Sequence, residues 1–116
     1  MPRQEIVIGA VIALIAEDRD DFDAETIRDV IDSAYELYYD EKPLAETLES
    51  SRNTIEKALE EFVAEGFVQK NGVKYLVTQN GRKAFRKMWI DIGAYIEICL
   101  AGGYVYYKAK KEGRLI

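Results

Sequence analysis

The stretch that decides the fold is residues 44–85, LAETLESSRNTIEKALEEFVAEGFVQKNGVKYLVTQNGRKAF. Apolar residues such as Ile55 and Leu59 recur in its first half at helical spacing. Its second half holds Asn71-Gly72 between two short apolar runs. This dipeptide is the strongest local signal for a β-hairpin, because both central residues of a type I′ turn need positive φ. The stretch therefore predicts helices followed by a two-stranded hairpin.

Two helices are expected on either side of a tight three-residue break. Pro43 suits the first position of a short helix over 43–49, since its missing N–H would have no partner there. Ser50 or Ser51 can cap a second helix over 52–64. The inward positions predicted for that second helix are Ile55, Ala58, Leu59, Phe62 and Val63.

The hairpin is predicted over residues 67–78 and is followed by a long C-terminal helix. Thr78 can cap this helix, which should run over 79–107. Adjacent glycines at 102 and 103 are expected to loosen it.

The N-terminal third is predicted to hold two more helices. Residues 4–16 are apolar all round, so that helix must be covered. The acidic run 17–23 should be a solvated loop, with Asp23 capping an amphipathic helix over 24–39. The inward stripe of that helix is Ile27, Val30, Ile31, Ala34, Leu37 and Tyr38.

Composition places the chain among soluble globular proteins with one domain over 1–116, since 48% of its 116 residues are hydrophobic and 32% are charged. The single cysteine, Cys99, cannot form an internal disulfide, so the cytoplasm is the expected compartment. A signal peptide is not expected, because the apolar run 6–16 lacks a basic region before it and a cleavage site after it.

A membrane span is not expected either. The run 6–16 is too short to cross a bilayer. The run 88–107 contains Asp91 and Glu97, each of which costs roughly 2.5 to 3.5 kcal/mol on insertion scales. The apolar terminal helices nevertheless leave a membrane-associated alternative open.

Catalysis and cofactor binding have little support, so we expect no enzyme, no cofactor and no metal site. The chain contains no histidine, and Cys99 lies in an apolar stretch where it is most simply a small core residue. The acidic run from Asp18 fails the EF-hand spacing, because Phe22 and Asp23 occupy positions 5 and 6, where an oxygen ligand and a glycine are needed.

Charge is distributed unevenly along the chain, whose formal net charge is −5. Residues 1–41 carry a net −9 and residues 88–116 a net +1. Residues 42–87 hold 9 basic and 6 acidic side chains, a net +3. Such asymmetry is expected when one face meets phosphate while the rest of the surface keeps the protein in solution.

The order of short motifs in 43–85 resembles that of winged helix-turn-helix DNA-binding regulators of the MarR, ArsR and PadR kind. Leu-Ala at 44–45 is followed by Ser-Arg-x-Thr-hydrophobic at 51–55, Glu-Gly-hydrophobic at 65–67 and Leu-x-Thr-x-x-Gly-Arg at 76–82. The resemblance implies a mainly α fold with a small β-hairpin. Extra N- and C-terminal helices are expected to form a dimer interface, because residues 4–16 and 84–107 carry more apolar surface than one small domain can cover.

A homodimer of this kind would place the helix over 52–64 in the major groove of double-stranded DNA and the hairpin tip against the backbone or minor groove. We expect the two copies to associate through residues 4–16 and 84–107. The side chains predicted to contact DNA are Ser51, Arg52, Asn53, Thr54, Lys57, Lys70, Asn71, Lys74, Arg82 and Lys83.

Each group of these residues has an assigned role and a plainer alternative. Arg52 and Asn53 suit guanine and adenine edges, whereas Ser51, Thr54, Lys57 and the later cations suit phosphate. Ser51 and Thr54 can instead be structural at the helix start, the cations of the helix can pair with Glu56 and Glu61, and the hairpin lysines can protect an edge strand. Glu56 and Glu60 on the outward face leave a protein-binding winged helix as the alternative function.

Overall fold

The computed structural model describes residues 3–39 and 49–114. It is mainly helical with a small antiparallel sheet, in agreement with the expected helix-rich fold and hairpin. Residues 43–48 of the helix predicted over 43–49, with Pro43 at its start, lie outside the described residues, and Glu49 is in a turn. The described elements in chain order are α1 (Gln4–Asp18), β1 (Asp21–Phe22), α2 (Ala24–Tyr39), α3 (Arg52–Ala64), β2 (Val68–Asn71), β3 (Lys74–Val77), α4 (Gln79–Asp91) and α5 (Ala94–Lys111).

Helix α1 is the centre of the core. Its apolar character on every side is explained by its neighbours, because α4 packs along it and α2 and α3 cover other parts of its surface. Residues 7–12 and Ile15 are all buried within this one chain. This finding corrects the expectation that residues 4–16 offer an uncovered apolar surface to a second copy.

Helix α2 begins at the predicted cap and leaves the core before its C-terminal end. The Asp23 carboxylate accepts a hydrogen bond from the backbone N–H of Thr26 at 2.8 Å. Ile27, Val30, Ile31 and Ala34 are buried as expected. Leu37 and Tyr38 were assigned to the same inward stripe but are 44% and 42% exposed, so that part of the prediction is wrong.

The acidic run is not entirely a solvated loop. Asp21 and Phe22 form strand β1, which pairs antiparallel with β3 and gives the sheet the order β1-β3-β2. Phe22 lies opposite Tyr75 in this register, and their rings stack with centroids 5.7 Å apart. Burial of the Phe22 ring, which is 1% exposed, is the reason that the chain pairs here instead of remaining in solvent.

The hairpin turn lies one residue later than predicted. Asn71 pairs with Lys74, so the two central residues are Gly72 and Val73 rather than Asn71 and Gly72. Gly72 has φ +67°, and a glycine at the first central position is what a type II′ turn requires. The shift places Val73 at the hairpin tip with 77% of its surface exposed.

The C-terminal half contains two helices and not the single helix predicted over 79–107. Thr78 caps α4 by accepting a hydrogen bond from the Gly81 N–H at 3.0 Å, but the chain turns at Gly93, where φ is +90°. The axes of α4 and α5 differ by 117° across this break. Residues 102 and 103 do not loosen α5, which continues through them.

Helix α5 is held against α1 and α2 by polar contacts near its end. The Lys108 ammonium donates to the Asp18 carboxylate at 2.7 Å, and the Tyr104 hydroxyl donates to the same oxygen at 2.9 Å. Lys110 contacts Glu36 of α2 at 3.2 Å. These contacts anchor the last turns of the chain to its first helices.

The length and hydropathy of the described helices give a plain result. Across residues 3–39 and 49–114, no single helix is long and apolar enough to cross a membrane, although the bent pair of α4 and α5 passes the same test when taken together.

Candidate nucleic-acid interface

Helix α3 presents three of the ten predicted DNA-contacting side chains on one exposed face. Its inner positions 55, 58, 59 and 62 are buried against the core, which turns Arg52, Asn53 and Lys57 outward into solvent. Val63 was predicted as an inner position but is 38% exposed. The outward placement of the three side chains is the geometry that a groove-reading helix needs.

The start of α3 lacks the side-chain capping hydrogen bond that Ser51 could have made. Ser51 occupies the N-cap position with extended backbone, φ −60° and ψ 133°, yet its side chain makes no capping hydrogen bond. Thr54 is half-buried, like Ser51. The structural alternative proposed for Ser51, a side-chain cap, is therefore not formed.

Arg52 makes an intrahelical ion pair, as the alternative for this residue predicted. Its guanidinium lies 3.3 Å from the Glu56 carboxylate, one helical turn away, and both side chains are largely exposed. An exposed pair of this kind contributes only about 0.3–0.5 kcal/mol to helix stability. The contact with Glu56 can therefore be exchanged for one with a base edge or phosphate at small cost.

The hairpin separates its predicted contact residues into two groups. Lys70 and Asn71 are exposed on β2, the outer strand of the sheet. Lys74 is half-buried on the central strand, and its ammonium lies 3.4 Å from the Asp23 carboxylate. Val73 at the tip was not among the predicted contacts, because the one-residue shift of the turn was not apparent from the Asn-Gly signal.

The Asp23 carboxylate connects the hairpin to α2. The groups around it stabilise its charged form. Burial raises the pKa of Asp23, but hydrogen bonds from the Thr26 N–H and hydroxyl, together with the charge of Lys74, outweigh burial and lower the pKa overall. Lys74 is therefore already paired within the fold, and it is less available to DNA than the exposed Lys70.

Helix α4 carries a basic band that was only half predicted. We define this band as Arg82, Lys83, Arg86 and Lys87, all four of which are exposed. The first two were predicted DNA contacts. The other two follow them at i+4 and therefore lie on the same two ridges of the helix. Helical spacing from the predicted pair was the signal that identifies them.

A cavity of about 540 Å³ lies beside this band, between α4 and α1. Leu14, Phe85 and Trp89 contribute to its apolar wall, and Arg82 and Arg86 border it. The two arginines thus border an apolar groove and are also exposed to solvent.

The cations of the described residues divide into two classes. Those that form ion pairs with carboxylates are Arg3, Arg19, Arg28, Arg52, Lys74, Lys108, Lys110 and Arg114. Within residues 3–39 and 49–114, those without such a pair are Lys57, Lys70, Arg82, Lys83, Arg86, Lys87 and Lys111. All but the last lie on α3, the hairpin or α4, so the uncompensated positive charge is concentrated there.

An apolar face is also exposed, on the side where α2 and α5 pack together. We define the α5 face as Tyr95, Ile98 and Val105 of α5 with Tyr38 and Tyr39 of α2. The three α5 residues are 61–67% exposed. The Tyr38 hydroxyl donates to the Ile98 carbonyl at 3.4 Å, and a hydrogen bond with Tyr39 raises the pKa of Tyr95. These contacts hold the aromatic rings together at the surface.

The acidic side chains of the described residues do not gather into a metal site. No group of three or more potential ligands is found in those two ranges. Asp18 is bound by Lys108 and Tyr104, which lower its pKa. The acidic run thus contributes to tertiary contacts.

Comparison of the chain with protein-family models, with curated proteins and with solved structures finds no match.

Proposed function

We propose that this protein is a dimeric, sequence-selective DNA-binding transcriptional regulator that reads the major groove with α3 and uses the β2–β3 hairpin as a wing. The observation that carries the proposal is the segregation of uncompensated cations. Lys57, Lys70 and the basic band of α4 have no carboxylate partner among the described residues, whereas the N-terminal cations are paired. A phosphate backbone supplies the missing negative charge.

The order of elements supports a winged helix. A helix, a short strand, two helices and a hairpin follow one another, and the short strand joins the hairpin in one sheet. Phe62 of α3 contacts Phe85 of α4 with ring centroids 5.0 Å apart. The Thr78 hydroxyl, at the end of the hairpin, also donates to the Gly66 carbonyl at 2.6 Å. These contacts fix the hairpin beside the C-terminal end of α3.

Sequence selectivity is assigned to the start of α3. Arg52 can bind guanine O6 and N7, and Asn53 can bind adenine N6 and N7. Glu56 accepts from Arg52 in the free protein and can accept from cytosine N4 in a complex. Glu60 repels phosphate, so we expect the overall affinity for DNA to be weak and the preference between sequences to be strong.

Self-association is assigned to the α5 face. Four side chains of this face are more than 50% exposed, and three of them, Tyr95, Ile98 and Val105, lie on one helix. A contiguous apolar patch of this kind marks an interaction surface. Pairing of this face about a two-fold axis would bury it. Binding to two successive major grooves would require the two α3 helices of such a dimer to lie about 34 Å apart, one turn of DNA. The expected target is a palindromic site.

Fluorescence anisotropy against genomic duplex fragments and a random duplex, at several salt concentrations, tests the proposal. We expect at least one fragment to bind more tightly than random DNA. Arg52→Ala should weaken that binding by about 1–3 kcal/mol while leaving random DNA nearly unaffected. Lys111→Ala, which removes an equal charge from the end of α5, is the matched control. Absence of any preference over random DNA would overturn the proposal.

A protein-binding module is the second candidate, and the acidic residues of α3 favour it. Glu56, Glu60 and Glu61 outnumber the two cations of the helix, giving its surface a net charge of −1. This candidate predicts that the Arg52→Ala and Lys74→Ala double variant changes no DNA binding and that a protein partner is recovered with the wild type. Specific DNA binding lost in the double variant excludes it.

A further inference from the structure

The basic band of α4 has the strongest uncompensated charge on the described surface. Helix α4 holds four cations and one acid, Asp91, whereas α3 holds two cations and three acids. The helix that is expected to read the bases is therefore acidic overall, and the helix that follows the hairpin is basic. The electrostatic attraction to phosphate is centred on α4 and not on α3.

This band works against the stability of its own helix. Arg82 and Arg86 are like charges at i,i+4, and Lys83 and Lys87 repeat the arrangement on the adjacent ridge. Like-charged pairs at this spacing destabilise a helix. Arg82 and Lys83 also lie close to the positive N-terminal end of α4, where acids are preferred. A sequence that breaks both local rules without a compensating contact inside the fold points to a binding role.

The start of the band is positioned next to the wing. The Thr78 N–H donates to the Phe67 carbonyl at 3.0 Å, and Thr78 caps α4, so the helix starts at the base of the hairpin. Gly81 allows this close approach, since a Cβ there would lie 1.9 Å from the Phe67 carbonyl oxygen. The band and Lys70 thus belong to consecutive elements that are rigidly joined.

We infer that the basic band of α4 is the main phosphate-binding surface of the protein and that it holds the DNA backbone while α3 reads the bases. This inference rests on the proposed function, because it assigns the sequence-independent part of the same DNA binding. It predicts that removing charge from α4 lowers affinity for all duplexes equally and reduces the dependence on salt.

The test variant combines Lys83→Gln and Lys87→Gln. The control variant combines Lys111→Gln and Arg114→Gln. Both lose two positive charges. Of the control residues, Lys111 ends α5 and Arg114 lies three residues beyond it. Affinity for a preferred and a random duplex is measured by anisotropy across a salt series. For two lost phosphate contacts, the slope of log K against log salt should become shallower by about 1.8. The ratio of affinities for the two duplexes should remain unchanged.

Thermal unfolding is the second readout, because it separates lost binding from lost folding. Removing the like-charged pair should leave the melting temperature of the α4 variant equal to or above that of the wild type. A wild-type protein that binds DNA, with an α4 variant whose slope equals that of the control, overturns the inference about α4 and leaves the proposed function standing. A wild-type protein that binds no duplex overturns both.

Discussion

At the scale of single residues, Asp23 shows how one side chain serves two elements. Its carboxylate accepts from the Thr26 N–H and hydroxyl, each at 2.8 Å, and so caps α2. It also contacts the Lys74 ammonium across the sheet at 3.4 Å. The position of the hairpin relative to α2 therefore depends on a residue whose local role alone was evident from the sequence.

The lowered pKa of Asp23 makes part of the stability depend on pH. A carboxyl whose folded pKa is below its ordinary value of 3.8 stabilises the fold fully above that value, and this stabilisation is lost as the pH falls toward the folded pKa. In Asp23→Asn the cap can be kept, because asparagine also caps helices. The charge and its pH dependence are lost.

We therefore expect the melting temperature of Asp23→Asn to fall less than that of the wild type when the pH is lowered from about 6 to about 3. The difference should correspond to under about 1 kcal/mol, because the ion pair is partly exposed. Asp18 keeps its own contribution in both proteins. Circular dichroism melts over this range provide the measurement. An identical acid-induced decrease in the two proteins would contradict the assignment.

Local rules predicted some residues well and missed those that depend on distant partners. The caps at Asp23 and Thr78 were predicted from residue type and position, and both form. Phe22 was not recognised as part of a strand, because a two-residue strand in an acidic run has no periodicity. Its strand forms because Tyr75, far away in sequence, supplies the surface that it packs against.

At the scale of elements, the packing of α5 on α2 explains the paired glycines. A Cβ at Gly103 would lie 2.6 Å from the Cβ and 2.7 Å from the Cα of Ala34, so the two helix backbones approach closely there. A Cβ at Gly102 would lie 2.0 Å from the Tyr38 hydroxyl, the far end of an exposed side chain that can move aside by giving up its hydrogen bond to the Ile98 carbonyl. The two neighbouring glycines thus have different importance.

Alanine at these two positions should separate close helix packing from helix propensity. We expect Gly103→Ala to destabilise the protein by about 1–3 kcal/mol through overpacking. The matched variant Gly102→Ala should change stability by under about 1 kcal/mol, because the gain in helix propensity offsets the loss of the exposed Tyr38–Ile98 hydrogen bond. Urea unfolding of both variants measures the difference. Equal destabilisation of the two variants would contradict this explanation, because only Gly103 lies against Ala34.

The break between α4 and α5 could not be predicted from periodicity. Residues on both sides of Gly93 are apolar, and an isolated glycine is tolerated within many helices. Its φ of +90° and the bend of 117° exist because each helix packs on a different partner, α4 on α1 and α5 on α2. Such a choice of partners is tertiary information.

At the scale of the whole molecule, the predicted fold class is confirmed in its coarse form, as a helix-rich chain with a small antiparallel sheet. The candidate interface was predicted on α3 and the hairpin, and half of the basic band was missed because no motif includes Arg86 and Lys87. Which cations remain without a carboxylate partner becomes apparent only when the ion pairs are known.

The α5 face provides a test of assembly. Ile98 is 63% exposed, so Ile98→Glu should cost the single chain little stability but should place a carboxylate in the centre of the proposed dimer contact. We expect the mass from light scattering, measured without DNA, to fall from that of two chains to that of one. Val73→Glu is the control, because Val73 is also largely exposed, at 77%, but lies at the hairpin tip.

If the wild type and Ile98→Glu both have the mass of one chain, the dimer proposal is wrong. A dimeric mass for both would place the contact elsewhere on the molecule. Loss of dimer in the Val73→Glu control as well would assign the effect to added charge in general.

The burial of α1 has a consequence for how the chain is made. Its main cover, α4, begins at Gln79, some sixty positions after α1 ends. A ribosome that adds about 5–20 residues each second therefore leaves this strongly apolar helix without its cover for several seconds. During that interval α1 is the segment of the nascent chain with most reason to bind a chaperone, and a stall before α4 emerges would leave it open to aggregation.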